Sequence, residues 1–259
     1  MKSKLKIIAL QIPLFWENPL MNRAYIDKKF GKDSIQADIL FLPEMFSTGF
    51  TMNAELIAET MDGPTILWMK NWASKLGLLL GGSLVIKDEG KYFNRFVIVG
   101  GENILAYYDK RHTFTFAGEN KFYNTGTNSG LFEYKGWKIC LRICYDLRFP
   151  VWSRNIQDYD LLIYVANWPS ARINAWDTLL QARAIENMSY VLGANRIGTD
   201  DNGLDYPGHS AIYSPLGKSL TEDVSSREGF FKAELDYFEL QLLRKQLNFL
   251  NDRDSFDLY

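Results

Sequence analysis

Short runs of apolar residues alternate along this chain with stretches in which apolar side chains recur every three to four positions. Leu5 to Leu10 and Ile39 to Leu42 are continuous apolar runs of strand length, the pattern of strands covered on both faces. Asp62-Gly63-Pro64 opens a helix, since proline suits the first helical position, and Gly77 is its natural C-cap. Leu78 to Val85, Arg95 to Val99 and Ile104 to Tyr108 then read as successive strands, followed by Trp137 to Ile143 and Leu161 to Val165. Trp176, Leu179, Leu180 and Arg183-Ala184 recur at helical spacing, which predicts an amphipathic helix from Ala175 to Met188. Val191 to Asn195, His209 to Tyr213 and Gly229 to Glu234 complete the strand set. The pattern predicts an α/β protein with two sheets but does not choose a topology. No repeat, low-complexity segment or Pro/Gly/Ser linker divides the chain, so residues 1–259 are expected to form one domain.

Composition narrows the function classes. Apolar residues make up 47% of the chain, enough for a large core, which argues against global disorder. The net charge of −2 comes without a polybasic or acidic tail, which argues against a sequence-independent nucleic-acid binder. The apolar run behind the basic N-terminus, Ile7 to Leu10, is far shorter than a signal-peptide core, and no run approaches the ~20 residues that span a bilayer. A cytoplasmic location with no membrane partner is the expectation. Cys140 and Cys144 lie four apart in a predicted strand, roughly 13 Å. A disulfide needs Cα atoms within about 7 Å, so both are read as thiols. Two histidines, His112 and His209, and the absence of Cys-x-x-Cys or His-Glu-x-x-His spacing predict no metal.

Three residues stand in contexts that could carry chemistry. Cys144 lies where the apolar strand ending at Ile143 runs into a polar turn, and Pro150 can start a helix behind it. A nucleophile at such a turn is exposed, and N–H groups near a helix start can hold an oxyanion. Taken alone, Cys144 also fits a small buried hydrophobe, as Cys140 does. Glu44 ends an apolar strand between Phe41-Leu42 and Met45-Phe46, where a carboxylate would be partly desolvated and so more basic. Lys110 follows a strand in Tyr108-Asp109-Lys110-Arg111-His112 and Glu119 sits in a polar turn; both also read as ordinary loop residues. Counts alone leave a Cys–His dyad open.

Taken together, Pro43-Glu44, Tyr108-Asp109-Lys110-Arg111-His112 and Ile143-Cys144-Tyr145-Asp146-Leu147-Arg148-Phe149-Pro150 resemble the Glu–Lys–Cys signature of the nitrilase superfamily of carbon–nitrogen hydrolases. Asn167-Trp168-Pro169, Ala182-Arg183-Ala184-Ile185-Glu186-Asn187, Asn195-Arg196 and Ser214-Pro215-Leu216-Gly217 extend the resemblance over nearly the whole chain. It implies a four-layer α-β-β-α sandwich. It also implies Cys144 as nucleophile, Glu44 as general base, Lys110 and the backbone N–H of Tyr145 as oxyanion donors, and Glu119 orienting Lys110 and substrate. No cofactor is implied. A homodimer is, with Val151-Trp152 and the 175–188 helix as interface elements. Tyr145-Asp146-Leu147-Arg148 and Asn167-Trp168-Pro169 look most like the bacterial ω-amidase branch, whose substrates are 2-oxoglutaramate and 2-oxosuccinamate. The alternatives are an N-carbamoyl amino acid or carbamoyl-amine hydrolase and a non-catalytic interaction module of the same fold. For an acidic amide substrate, Arg172 is the expected carboxylate anchor, Arg148 the expected ion-pair partner of a nearby acid, and Phe46, Phe116 and Trp168 the expected apolar walls.

Overall fold

The computed structural model describes residues 3–32, 34–221 and 226–257. In chain order the main elements are β1 (Lys4–Gln11), α1 (Pro19–Lys32), β2 (Ile39–Phe41), α2 (Ala54–Ile57), α3 (Pro64–Leu76), β3 (Leu79–Asp88), β4 (Lys91–Gly100) and β5 (Asn103–Asp109). There follow β6 (Leu131–Tyr134), β7 (Trp137–Ile143), α4 (Pro150–Ser153), β8 (Leu161–Ala166), α5 (Ile173–Asn187), β9 (Tyr190–Asn195), β10 (Ile197–Thr199), β11 (Asp205–Pro207), β12 (Ala211–Tyr213), β13 (Gly229–Asp236) and α6 (Tyr237–Leu247).

Two sheets face one another. One has the strand order β13-β1-β2-β3-β4-β5, the other β12-β9-β8-β7-β6. The alternation of side chains along each strand divides the apolar residues between two faces. Leu5, Ile7 and Ala9 of β1 meet Trp137, Ile139, Leu141 and Ile143 of β7 in the core between the sheets. Ile8 and Leu10 point the other way, against Ile26 and Phe30 of α1 and Ile66, Met69 and Ala73 of α3. On the far side Cys140, Leu162 and Tyr164 pack under Trp176, Leu180 and Ala184 of α5. These are the four layers α-β-β-α that the resemblance implied.

The helix predicted from Pro64 closes where expected, with Gly77 at φ +64° accepting the left-handed cap conformation. α5 begins two residues before the predicted start, and Met188 caps it. Pattern reading missed α1, whose buried stripe is only Asn22, Ile26 and Phe30, and α6, with Leu240 as its one buried residue. It also missed β6, an edge strand of the second sheet, and the β10-β11 pair, which have too few buried positions to read as apolar runs. Among the described residues no helix is long and apolar enough to cross a membrane.

Strand direction places the site. β1, β2 and β3 are parallel, and so are β7, β8 and β9. β5 is antiparallel to β4, which is antiparallel to β3, so β5 runs in the direction of β2. Glu44, Lys110, Cys144 and Asn167 therefore all follow the C-terminal ends of their strands, where ligands bind in open α/β sheets.

Candidate active site

Cys144 is the first residue of a 3₁₀ turn, Cys144–Arg148, that leaves β7. Its φ of +44° is a left-handed conformation that a non-glycine residue adopts only when its surroundings impose it. Fully buried Asp146 does so. Its carboxylate accepts the N–H of Ile143 at 3.0 Å, the N–H of His112 at 3.1 Å and the hydroxyl of Tyr108 at 2.8 Å. Half-buried Cys144, packed against the core on one side, lines a cavity of about 400 Å³. Tyr145, the next residue, also lines that cavity, and N–H groups in the first turn of a helical segment lack an intrahelical acceptor.

Glu44 and Lys110 reach the same cavity, and both side chains are fully buried. Lys110 Nζ donates to Glu44 Oε1 at 2.8 Å and to Glu119 Oε1 and Oε2 at 3.0 and 2.9 Å. Glu119, also fully buried, accepts the N–H of Phe114. The other Glu44 oxygen, Oε2, accepts the N–H of Asn167 at 2.8 Å, and the Glu44 carbonyl accepts from Asn167 Nδ2 at 2.6 Å. The Asn167 carbonyl lies 4.0 Å from Cys144 Sγ. The lysine is held at the backbone as well. Its N–H donates to the Asn94 carbonyl and its carbonyl accepts from Gly126, each at 3.0 Å. Only glycine fits at 126, because a Cβ there would lie 2.2 Å from the Asp109 carbonyl oxygen. Arg95 clamps Asp109 bidentately at 2.6 and 2.9 Å, so the residue before Lys110 is fixed too.

Electrostatics define the resting state. Burial alone would lower the Lys110 pKa, but Glu119 and Glu44 outweigh it and raise the pKa, so the group is an ammonium ion. Burial, then the Glu44 charge, push the Cys144 thiol well above its usual range, with Lys110 opposing them. Cys144 therefore rests as a protonated thiol, and a nucleophilic role would require that proton to leave. Burial raises Glu119, against the pull of Lys110. Two carboxylates sharing one cation leave the cluster one negative charge in excess when both are ionised, which suits proton uptake from a thiol.

The structure brings Glu44, Lys110, Glu119, Cys144 and Tyr145 together, and Trp168 and Arg172 line the same cavity. Two expected walls are elsewhere. Phe46 is buried in the outer core, 5.9 Å from the Trp68 ring, because its side chain leaves the chain on the helix-facing side. Phe116 is 85% exposed on the 3₁₀ turn Thr115–Ala117, while its neighbours Phe114 and Ala117 line the cavity. Phe50, 5.1 Å from Lys110 Nζ, takes the position expected of Phe46. Arg148 also departs from expectation. It forms no ion pair among the described residues but lies over the Trp168 ring at 5.1 Å and lines the cavity. Arg172 likewise lacks an ion-pair partner among them and lies 5.4 Å from the Phe114 ring centre. Neither histidine lines the cavity. His112 stacks on Phe149 and bonds Asp146, and His209 pairs with Asp177.

Sequence reasoning missed two asparagines. Asn167 had a signal, since it follows β8 in a quoted block; Asn94, a polar residue within β4, had none. Among the described residues no group of three or more His, Cys, Asp and Glu side chains is arranged to hold a metal ion.

A sequence profile described as Carbon-nitrogen hydrolase matches residues 14–245. The chain is 44% identical over 257 residues to an omega-amidase of Yersinia enterocolitica, covering 98% of each chain. It is 33% identical to a 2-oxoglutaramate amidase of Bacillus subtilis, covering 99% of this chain and 100% of that one. Among solved structures, a CN-hydrolase superfamily protein from Xanthomonas campestris with an arsenic adduct in its active site superposes with a TM-score of 0.95, at 39% identity and full coverage of both chains.

Proposed function

Because the chain belongs to the carbon–nitrogen hydrolase family, we propose that it hydrolyses the terminal carboxamide of a small 2-oxo acid, 2-oxoglutaramate or 2-oxosuccinamate, to a carboxylate and ammonia. The observation that carries this reading is the convergence of Cys144, Glu44 and Lys110 on one cavity whose rim holds two arginines without an ion-pair partner among the described residues. The two relatives named above for amidase activity support the substrate class.

The chemistry follows from the resting state. Cys144 Sγ attacks the amide carbon while Glu44 takes the thiol proton. Negative charge develops on the carbonyl oxygen, where Lys110 Nζ and the Tyr145 N–H can receive it; one such donor contributes about 3 kcal/mol to the barrier reduction. The tetrahedral intermediate collapses, the C–N bond breaks, and Glu44 returns its proton to the departing nitrogen, which leaves as ammonia. Water then attacks the thioester as Glu44 takes one of its protons. The C–S bond breaks, the carboxylate product leaves, and the thiol is restored. Glu119 holds Lys110 through two further bonds to Nζ. Phe50, Phe114 and Trp168 limit water at the thioester.

Arg172, with Arg148 beside the Trp168 ring, is the anchor for the far carboxylate of the substrate. Arg172→Met is expected to raise KM for 2-oxoglutaramate about tenfold or more, the loss of one hydrogen bond to a charged group, with little change for a neutral aliphatic amide. Steady-state ammonia release measures both. Equal losses on the two substrates would remove Arg172 from the carboxylate subsite. Faster turnover of nitriles or carbamoyl amino acids by the unmodified protein would reject the 2-oxo acid amide.

The oligomer we propose is a homodimer formed through α4 and α5. Half-exposed Val151 and Ile185 support it, whereas Trp152 turns inward to donate to the Tyr108 hydroxyl at 2.9 Å. Sedimentation is expected to give a species of twice the chain mass; a single-chain species would reject it. The free thiol required at Cys144 fits the reducing cytoplasm.

A further inference from the structure

Two fully buried carboxylates beside one ammonium ion repel each other, and something must hold the base in line with the thiol. We propose that Asn94 is the positioning residue for the Glu44 base, a neutral tie whose side-chain amide bridges Glu44 and Glu119. This inference rests on the reading of Glu44 as the base.

Asn94 lies within β4, opposite Val85 of β3, and is 1% exposed. Its Nδ2 donates to Glu44 Oε1 at 2.8 Å and to Glu119 Oε1 at 3.3 Å. Reversing the amide would set its oxygen against two carboxylate oxygens, so its neighbours dictate its orientation. Its Oδ1 finds no donor among the described residues. An amide serving structure alone would satisfy both ends, since a buried polar atom without a partner is costly. Here the acceptor end goes unmet while the donor end faces two carboxylates. The Asn94 carbonyl meanwhile accepts the Lys110 N–H at 3.0 Å, so one residue touches all three charged members of the cluster.

Neutrality matters to this role. A cationic side chain at position 94 would weaken Glu44 as a base, and an acidic one would add a third repelling charge. The titratable groups that face Glu44 are Lys110 from the end of β5, Glu119 from the following turn and Cys144 from the end of β7. Tyr123 is near as well, with its hydroxyl committed to the Thr51 carbonyl. Arg148, Arg172 and Asp200 look on from the cavity wall. Of these groups Lys110 alone also bonds both carboxylates, and it does so as a cation; Asn94 is the neutral group that bridges them. Hydrogen bonds to an ionised carboxylate favour that form, so their removal should make Glu44 hold its proton to higher pH.

The test is the pH profile of kcat/KM for ammonia release from 2-oxoglutaramate by full-length Asn94→Leu and Asn94→Asp. In both, the acid limb is expected to move to higher pH by about one unit or more. kcat should fall by about tenfold or more, with KM changing by less than about threefold. Because Asn94→Asp would move the limb by its added charge alone, the neutral Asn94→Leu decides the matter, and the equally neutral Asn94→Ala does so if Asn94→Leu does not fold. A folded variant with an unmoved acid limb would overturn the proposal, whatever its stability. Glu44→Gln, measured alongside, separates the two levels of the argument. If it abolishes turnover while the Asn94 variants keep the normal limb, the tie alone is rejected. If it turns over normally, the base assignment beneath the tie is rejected.

Discussion

Cys144→Ala is expected to lower turnover of 2-oxoglutaramate by roughly four orders of magnitude or more, the scale seen when a covalent nucleophile is removed. The thioester route depends on one sulfur, and the other cysteine cannot replace it. Cys140 is 1% exposed in the core beneath α5, and burial raises its thiol pKa. The two positions should therefore separate activity from stability. Alanine at 144 meets the same left-handed backbone cost as cysteine, so the folding equilibrium should move by less than about 0.5 kcal/mol. Alanine at 140 leaves a small void in a packed layer and should cost about 1 kcal/mol, or roughly 2–4 °C in Tm, with turnover nearly unchanged. Thermal melts and ammonia release on the two variants measure both effects. Near-normal activity in Cys144→Ala would overturn the assignment of the nucleophile.

Lys110→Met should be the most damaging change to the rest of the proposed machinery, because two tasks are assigned there to this ammonium ion. As an oxyanion donor it is worth about 10²–10³ in kcat. As the one cation between Glu44 and Glu119, it also compensates two buried carboxylates, and breaking a buried pair by removing one partner typically costs 3–5 kcal/mol. That cost should depend on pH. Burial already raises the native pKa of Glu119, and without Lys110 the pull that opposes it is gone. Groups whose native pKa is raised contribute stability at low pH and lose it as pH rises. The deficit of the variant in chemical denaturation should therefore be larger at pH 8 than at pH 5. A deficit independent of pH would mean that the lysine does not compensate these carboxylates.

Most strands were legible because they are covered on both faces and read as continuous apolar runs; β6, β10 and β11, largely half-buried or exposed, were not. β7 was placed at its observed ends, Trp137 and Ile143, and the cap at Gly77 followed from local chemistry. The helices that rest on one side of the sandwich were harder to read. α1 buries an asparagine in its stripe, with Asn22 bonded to the carbonyls of Phe15 and Ser47, so its periodicity is broken by a residue that packs for polar reasons. The grouping of Glu44, Lys110 and Cys144 was legible only once their three segments were taken together, since each residue alone also fits an ordinary core or loop position. The walls were misplaced for a geometric reason. Phe46 stands two residues from Glu44, but the left-handed backbone at Met45 intervenes and sends Phe46 toward Trp68. Asn94 was invisible because its partners are 25 and 50 residues away in the chain. Only the pairing of β4 with β3 and β5 brings them together.

The central claim is that an amide carbon becomes bonded to Cys144, and a mass measurement tests it most directly. The protein, rapidly acid-quenched during turnover of 2-oxoglutaramate, is digested and its cysteine peptides are weighed. The expected result is an added mass equal to the substrate less ammonia on the peptide carrying Cys144, and none on the peptide carrying Cys140 if digestion separates them. Ammonia release with no adduct on Cys144 under conditions where the thioester should accumulate, or an adduct on Cys140 instead, would contradict it.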